Sequence, residues 1–235
     1  MAPTTLVLWD IDHTLIETGG VGSEVYAAAF HQVTGRPLEH MAELAGRTEP
    51  VIFRETLQQH HISDPDTIFN QFAAAQARGY TDRTEELRQR GRALPGAVEA
   101  LQSLSADHGI VQSVLTGNTR ESARIKLRAF GLDTHLDLDI GAYGTDNDER
   151  PSLVPIARHR ATVVHHARFD GPATILIGDT PNDVTAALSS HARVIAVATG
   201  KDSTADLAAA GADTVFADLT DTAALLAAIH GNQPQ

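Results

Sequence analysis

Two carboxylates two residues apart close the first apolar run of the chain, where Leu6-Val7-Leu8-Trp9 leads into Asp10-Ile11-Asp12-His13-Thr14. In an extended strand residues i and i+2 share a face, so Asp10 and Asp12 start out pointing the same way. Like charges placed so close are unfavourable unless a cation or a proton reconciles them. The pair suits a site in which one carboxylate attacks an electrophile or binds a metal while its neighbour moves a proton. The bland alternative is a strand running into an Asp-rich turn, because Asp favours turns.

A second acidic cluster weighs against that alternative. Thr174-Ile175-Leu176-Ile177 reads as another buried strand, and it empties into Gly178-Asp179-Thr180-Pro181-Asn182-Asp183. In a parallel α/β sheet the strand C-termini gather on one edge, where ligands bind. Asp10, Asp12, Asp179 and Asp183 converging there would make a hard, oxygen-rich site suited to Mg²⁺. A third strand, Ile110–Leu115, ends in Thr116-Gly117-Asn118. A hydroxyl and free backbone N–H groups at a strand-to-helix turn fit a phosphate oxygen. An ordinary turn with a helix cap explains that tripeptide equally well on its own.

The elements that must position these residues follow from the hydrophobic pattern. After Gly19-Gly20-Val21-Gly22, helical runs are expected from about Ser23 to Thr34, Pro50 to His61, Asp66 to Arg78 and Tyr80 to Arg90, with Ser63-Asp64-Pro65 as a break. No strand-like run interrupts them. From Pro95-Gly96 onward strands and helices alternate, with a weak strand expected at Leu138–Ile140 and further strands at 194–197 and 214–216. The helices between them fall near 97, 119–130, 152–167, 182–190, 203–210 and 221–229. Such alternation predicts an α/β fold, a Rossmann-like parallel sheet with helices on both faces. The expected domains are an α/β core of residues 1–18 and 92–235 and an inserted all-helical unit of residues 19–91.

In order and spacing, Asp10-x-Asp12-x-Thr14, Leu115-Thr116-Gly117-Asn118, a basic residue and Gly178-Asp179-x-x-x-Asp183 resemble the four motifs of the haloacid dehalogenase superfamily. Gly46-Arg47-Thr48, Ala123–Leu127 and Ala198-Thr199-Gly200 look most like its phosphoglycolate-phosphatase-like branch. The resemblance spans essentially the whole chain. It implies a phosphatase acting on a small phosphorylated metabolite, with the helical insert as a mobile cap hinged near Thr18–Gly20 and Arg92–Gly96. Asp10 is then the nucleophile, Asp12 the general acid and base, and Thr116, Gly117 and Asn118 the phosphoryl-binding group. Mg²⁺ would be held by Asp10, the Asp12 main-chain carbonyl and Asp179, with Asp183 orienting a water or the basic residue. Arg47 is the candidate reader of the substrate's leaving group. Thr48 also suits a helix cap, with Pro50 in the first turn. His13 stands where the family usually has Gly, and it is expected to alter the turn or reach toward the substrate.

The family places a Lys before a helix-opening Pro to offset the charge on the nucleophile. Here Arg150-Pro151 matches it, so Arg150 is the expected cation. Lys126, one of only two lysines, is expected to be solvated, carried about 12 Å along its helix from Thr116. Lysine scarcity also disfavours a Schiff-base phosphonate hydrolase, and Asp12 disfavours a dehalogenase, which has no leaving alcohol to protonate. A sugar phosphomutase and a non-catalytic phosphate-binding protein are the remaining alternatives.

Bulk properties agree with a globular enzyme. The chain has 235 residues, 42% hydrophobic and 20% charged, near globular averages. A net charge of −12 argues against a nucleic-acid partner, which would need a basic stripe. No apolar run or leader pattern suggests a membrane, so the cytoplasm is the default expectation. Cysteine is absent, which excludes disulfides and thiol catalysis. The histidine pairs at 60–61 and 165–166 lack metal-ligand spacing and are expected at the surface or at helix ends.

Overall fold

A computed structural model describes residues 4–63 and 66–231, so the break expected at Ser63-Asp64-Pro65 lies partly outside the described residues. The chain opens with β1 (Thr5–Trp9), whose alternate side chains serve two different cores. Val7 and Trp9 enter one apolar cluster, and Leu6 and Leu8 enter another. A strand apolar at every position is what a sheet covered on both faces requires. Strands β5 (Thr174–Gly178) and β6 (Arg193–Val197) are largely apolar in the same way, β4 (Ile110–Val114) buries the polar Gln112 and Ser113 among its apolar residues, and β7 (Thr214–Phe216) lies at the edge. All five are parallel, in the order β4-β1-β5-β6-β7.

Helices cover both faces. On one side α5 (Ala97–Ser105), α6 (Arg120–Ala129) and α10 (Thr222–Ile229) contribute Leu101, Leu104, Leu127 and Leu225 to the Trp9 cluster. On the other α7 (Arg150–His165), α8 (Pro181–Ser189) and α9 (Thr204–Ala209) pack Leu153, Ala157, Val184 and Leu207 against Leu8 and Leu176. The chain leaves β1 for β4 on one side and later crosses back to β5 on the other. The crevice of such a sheet opens at that reversal, over the ends of β1, β4 and β5.

Between β1 and β4 lie α1 (Val21–Thr34), α2 (Glu49–Gln59), α3 (Asp66–Asp82) and α4 (Thr84–Arg90). The first three share an aromatic core of their own, with Phe53 and Phe72 stacked at 4.2 Å, while Leu87 of α4 packs with Val21, Val25 and Tyr80. Helix α3 runs through Gly79, where a break was expected. A Cβ at Gly79 would stand 3.0 Å from Val25 Cγ1, so the glycine is there for the close approach of α1 and not to end a helix. Two strands too short to show in any alternation tie the insert's ends together. These are β2 (Ile16–Glu17) and β3 (Arg92–Ala93), paired antiparallel.

One further expectation is corrected. Leu138–Ile140 is not a strand. Asp139 N–H turns back to Asp137 Oδ1 at 3.1 Å, and the segment meets β4 through Asp137 N–H to the Gln112 carbonyl at 2.9 Å and a bridge between Leu115 and Ala142. His60 does sit at the end of α2 but is buried, its ring held between the Thr56 carbonyl at 2.7 Å and the Glu39 N–H at 3.0 Å. No helix among the described residues is long and apolar enough to cross a membrane.

Candidate active site

The residues singled out by the sequence meet over the C-terminal ends of β1, β4 and β5. Asp10 immediately follows β1, and its N–H donates to the Ile177 carbonyl at 2.8 Å, which locks it to the neighbouring strand. Asp10, Asp179 and Asp183 are all buried, and each offers a carboxylate oxygen within 4.8 Å of the others. Asp183 is fixed by helix α8, where Thr180 and Asp183 form a reciprocal capping box. Its Oδ2 accepts from the Thr180 hydroxyl at 2.6 Å. Asp179 Oδ1 accepts from Thr14 Oγ1 at 3.1 Å, which explains the hydroxyl four residues beyond Asp10.

Arg150 opens α7 and enters this acidic cluster with only 6% of its surface exposed. Its Nη2 donates to Asp10 Oδ1 at 2.8 Å and to Asp183 Oδ1 at 2.6 Å, and its Nε donates to Asp183 at 2.9 Å. Pro151 in the first turn cannot donate a backbone hydrogen bond, a lack the helix start tolerates. Both Asp183 oxygens are thus occupied, whereas Asp10 Oδ2 and Asp179 Oδ2 accept no hydrogen bond among the described residues.

Burial pushes the Asp10 carboxyl up to about 7, against the pull of Arg150, and pushes Asp179 up to about 8 with help from Asp10 and Asp183. Two carboxylates that resist ionisation beside a third are a site that favours a cation. Hard oxygen donors of this kind fit a divalent ion such as Mg²⁺. The Asp12 side chain is not in this cluster, so any ligation by Asp12 would come from its main chain.

Asp12 turns instead toward α6, and this overturns the expectation for Lys126. Lys126 is buried, with 5% of its surface exposed. Its Nζ donates to Asp12 Oδ1 and Oδ2 at 2.9 and 2.8 Å and to Asn118 Oδ1 at 2.7 Å. The rise of the helix alone misled the expectation. Helical side chains lean back toward the N-terminus, and a lysine stem spans several ångström, so the ammonium returns to the turn that precedes α6. Tyr80 of α3 lies beside it, with the ring centroid 5.2 Å from Nζ. Burial would raise the Asp12 carboxyl, but Lys126 and Asn118 more than reverse that and hold it below the usual range.

Asn118 Nδ2 bridges Asp12 Oδ2 and Thr116 Oγ1, each at 2.7 Å, so the β4 loop and the β1 loop are one hydrogen-bonded unit. Gly117 lets the insert close over that unit, since a Cβ there would stand 1.9 Å from the Arg47 carbonyl oxygen. Glu49 N–H donates to the Gly117 carbonyl at 2.8 Å and Thr48 Oγ1 to the Asp148 carbonyl at 3.0 Å. The Thr48 side chain makes no cap bond to α2. Arg47 does not present a free fork to the site, because its guanidinium is paired with Glu55 and reaches the Glu43 carbonyl. His13 is exposed, with φ 61°, a left-handed conformation that explains why Gly suits the position. A cavity of about 180 Å³ is lined by Asp10, Asp12, Thr116, Lys126 and Arg150 below and Glu49, Gln76 and Tyr80 above. Sequence reasoning missed Lys126, Glu49 and Gln76; the signal for Lys126 was its i+4 spacing from Ser122 on the buried face of α6.

Known proteins resemble this chain in sequence and in fold. The sequence model of the haloacid dehalogenase-like hydrolases matches residues 7–188, more than half of the chain. A phosphoglycolate phosphatase of Agrobacterium fabrum is 28% identical over 203 residues, which cover 83% of this chain and 81% of that protein. The crystal structure of a hydrolase from Pseudomonas syringae superposes with a TM-score of 0.69 at 23% identity, covering 98% of this chain and all of the other. A hydrolase of the same family from Deinococcus radiodurans, with bound phosphate and sodium, superposes with a TM-score of 0.57 at 20% identity over the whole of both chains. At these identities the two structures speak for the fold.

Proposed function

The chain belongs to the haloacid dehalogenase-like hydrolase family, and we propose that it is a Mg²⁺-dependent phosphatase of small phosphate monoesters, working through an aspartyl-phosphate. The observation that carries this reading is the union of Asp10, Arg150, Asp179 and Asp183 at the ends of two neighbouring strands, beside the Thr116–Asn118 turn. Asp10 Oδ2 is the free oxygen and attacks phosphorus. The bond to the leaving oxygen breaks, and Asp12 delivers a proton to that oxygen. Water then attacks the phosphorus of the intermediate while Asp12 takes its proton, and the Asp10 carboxylate is released with inorganic phosphate. Lys126 keeps Asp12 ionised in the free enzyme, so the first proton is loaded as the anionic phosphoryl group arrives and raises the carboxyl's proton affinity.

Asp10, Asp179 and the Asp12 main chain would hold Mg²⁺, which when bound offsets charge on the phosphoryl oxygens. Arg150 holds Asp10 in place and supplies a fixed positive charge, while Asp183 holds Arg150. The Thr116 hydroxyl and the backbone N–H groups of Gly117 and Asn118 take phosphoryl oxygens. Residues 19–91 act as a cap hinged at the paired β2 and β3, and closure excludes water from the aspartates. Release of phosphate from p-nitrophenyl phosphate, with and without Mg²⁺, tests the reading. Chelation should abolish turnover, and Asp10→Asn should be inactive while still folding. Full activity in metal-free enzyme, or more than trace turnover by Asp10→Asn, would sink it.

A further inference from the structure

The wall that faces the reacting aspartates carries a carboxylate where a reader of anionic leaving groups would need a cation. Glu49, the first residue of α2, is buried and lines the same cavity as Asp10, Asp12 and Thr116. Its Oε1 accepts from Gln76 Nε2 at 2.7 Å, and Gln76 Oε1 accepts from Ser122 Oγ at 3.1 Å. Glu49 Oε2 has no hydrogen-bond partner among the described residues. Thr18, Ser23 and Tyr80 line the same cavity, whereas the Tyr26 hydroxyl donates to Thr56 Oγ1 at 3.2 Å.

The cations around this cavity are committed. Arg150 is held by Asp10 and Asp183, Lys126 by Asp12, and Arg47 by Glu55. His13 sits exposed on the loop of the nucleophile, not on the helical wall. A carboxylate on the leaving group would have to break one of these pairs or lie unneutralised beside Glu49, and both are unfavourable. Burial pushes the Glu49 carboxyl up and Lys126 offsets this only in part, so the wall does not call for a second ammonium either. A carboxylate oxygen, an amide and several hydroxyls instead complement the O–H groups of an alcohol. The cavity under this wall holds about 180 Å³, below the roughly 300–1,000 Å³ of ordinary ligand pockets. A wider one of about 670 Å³ that also reaches Asp10 and Asp12 has its cations Lys201 and Arg92 paired with Glu43 and Glu17.

Resting on the phosphatase reading above, we infer that the leaving group is a small uncharged polyhydroxy alcohol read by Glu49 and Gln76, and that phosphate esters of carboxylic acids are discriminated against. A matched pair of esters decides it, because 2-hydroxyethyl phosphate and phosphoglycolate differ only in a CH₂OH against a carboxylate. With Mg²⁺, wild-type kcat/KM should favour 2-hydroxyethyl phosphate and glycerol phosphate over phosphoglycolate by roughly tenfold or more. Glu49→Gln keeps the shape and removes the charge, and it should carry that ratio most of the way toward one. Equal or better use of phosphoglycolate by wild type overturns the inference, and so does a clear preference for 2-aminoethyl phosphate over both. An unchanged ratio in folded Glu49→Gln overturns the assignment to Glu49; if that variant does not fold, the wild-type ratio still decides the leaving-group class. If wild type does not turn over p-nitrophenyl phosphate either, the phosphatase reading itself has failed, and this inference falls with it.

Discussion

At the scale of single residues, the site divides its charges between two cations with separate partners. Arg150 serves the buried pair Asp10 and Asp183, and Lys126 serves Asp12. A guanidinium fork can hold two carboxylates at once, whereas an ammonium is a point charge. Arg150→Lys should therefore recover only a small part of the activity lost in Arg150→Ala, read as kcat on p-nitrophenyl phosphate. Lys126→Ala should also lose about 10²–10⁴ in kcat, because Asp12 is then held by Asn118 alone. Wild-type kcat in Lys126→Ala would show that Asp12 needs no such partner. The aspartates and Thr116 were legible in the sequence because strand ends dictate where such side chains go. Lys126 was not, since its position depends on how a long side chain folds back along a helix. Arg47 does line the cavity, but its pairing with Glu55, eight residues on, was not legible in the sequence.

At the scale of elements, the strand ends depend on loops that leave no room for a Cβ. Gly200 follows β6, and a Cβ there would stand 1.9 Å from Asp179 Oδ2. Gly200→Ala should push that oxygen out of the acidic cluster, weakening activation by Mg²⁺ at least tenfold while the midpoint of unfolding changes little. Gly35 gives the opposite control. It ends α1 at φ 69° with open space around it, so Gly35→Ala should cost about 1–2 kcal/mol of stability and leave activity alone. Thermal denaturation beside a Mg²⁺ titration of activity separates the two effects, and matching losses in both variants would contradict the account. The alternating β and α elements were readable because the central strands β1, β5 and β6 are largely apolar on both faces. The ribbon of β2 and β3 was not, as two residues per strand give no periodicity. The absent strand at 138–140 has a similar cause: Asp137 and Asp139 prefer their local turn to the ladder.

At the scale of the whole molecule, three acidic side chains drawn together from two strand ends make the fold itself sensitive to a cation. Asp10 and Asp179 both resist ionisation in the buried cluster, so folding without a metal works against their charge. A ligand that binds only the folded state stabilises it by about 2.7 kcal/mol at a hundred times its Kd. For a chain of this size each kcal/mol moves the midpoint by roughly 2–4 °C, so saturating Mg²⁺ should raise Tm by about 5–10 °C. The shift should vanish in Asp179→Asn, whose carboxylate belongs to the cluster. It should survive in Asp12→Asn, because that side chain faces Lys126 and only its main chain is available to the ion. Calorimetry of the three proteins with EDTA and with Mg²⁺ makes the comparison independent of turnover. A Tm that ignores Mg²⁺ in wild type would remove the cation from the site, and loss of the shift in Asp12→Asn would mean that the Asp12 carboxylate swings away from Lys126 to bind it.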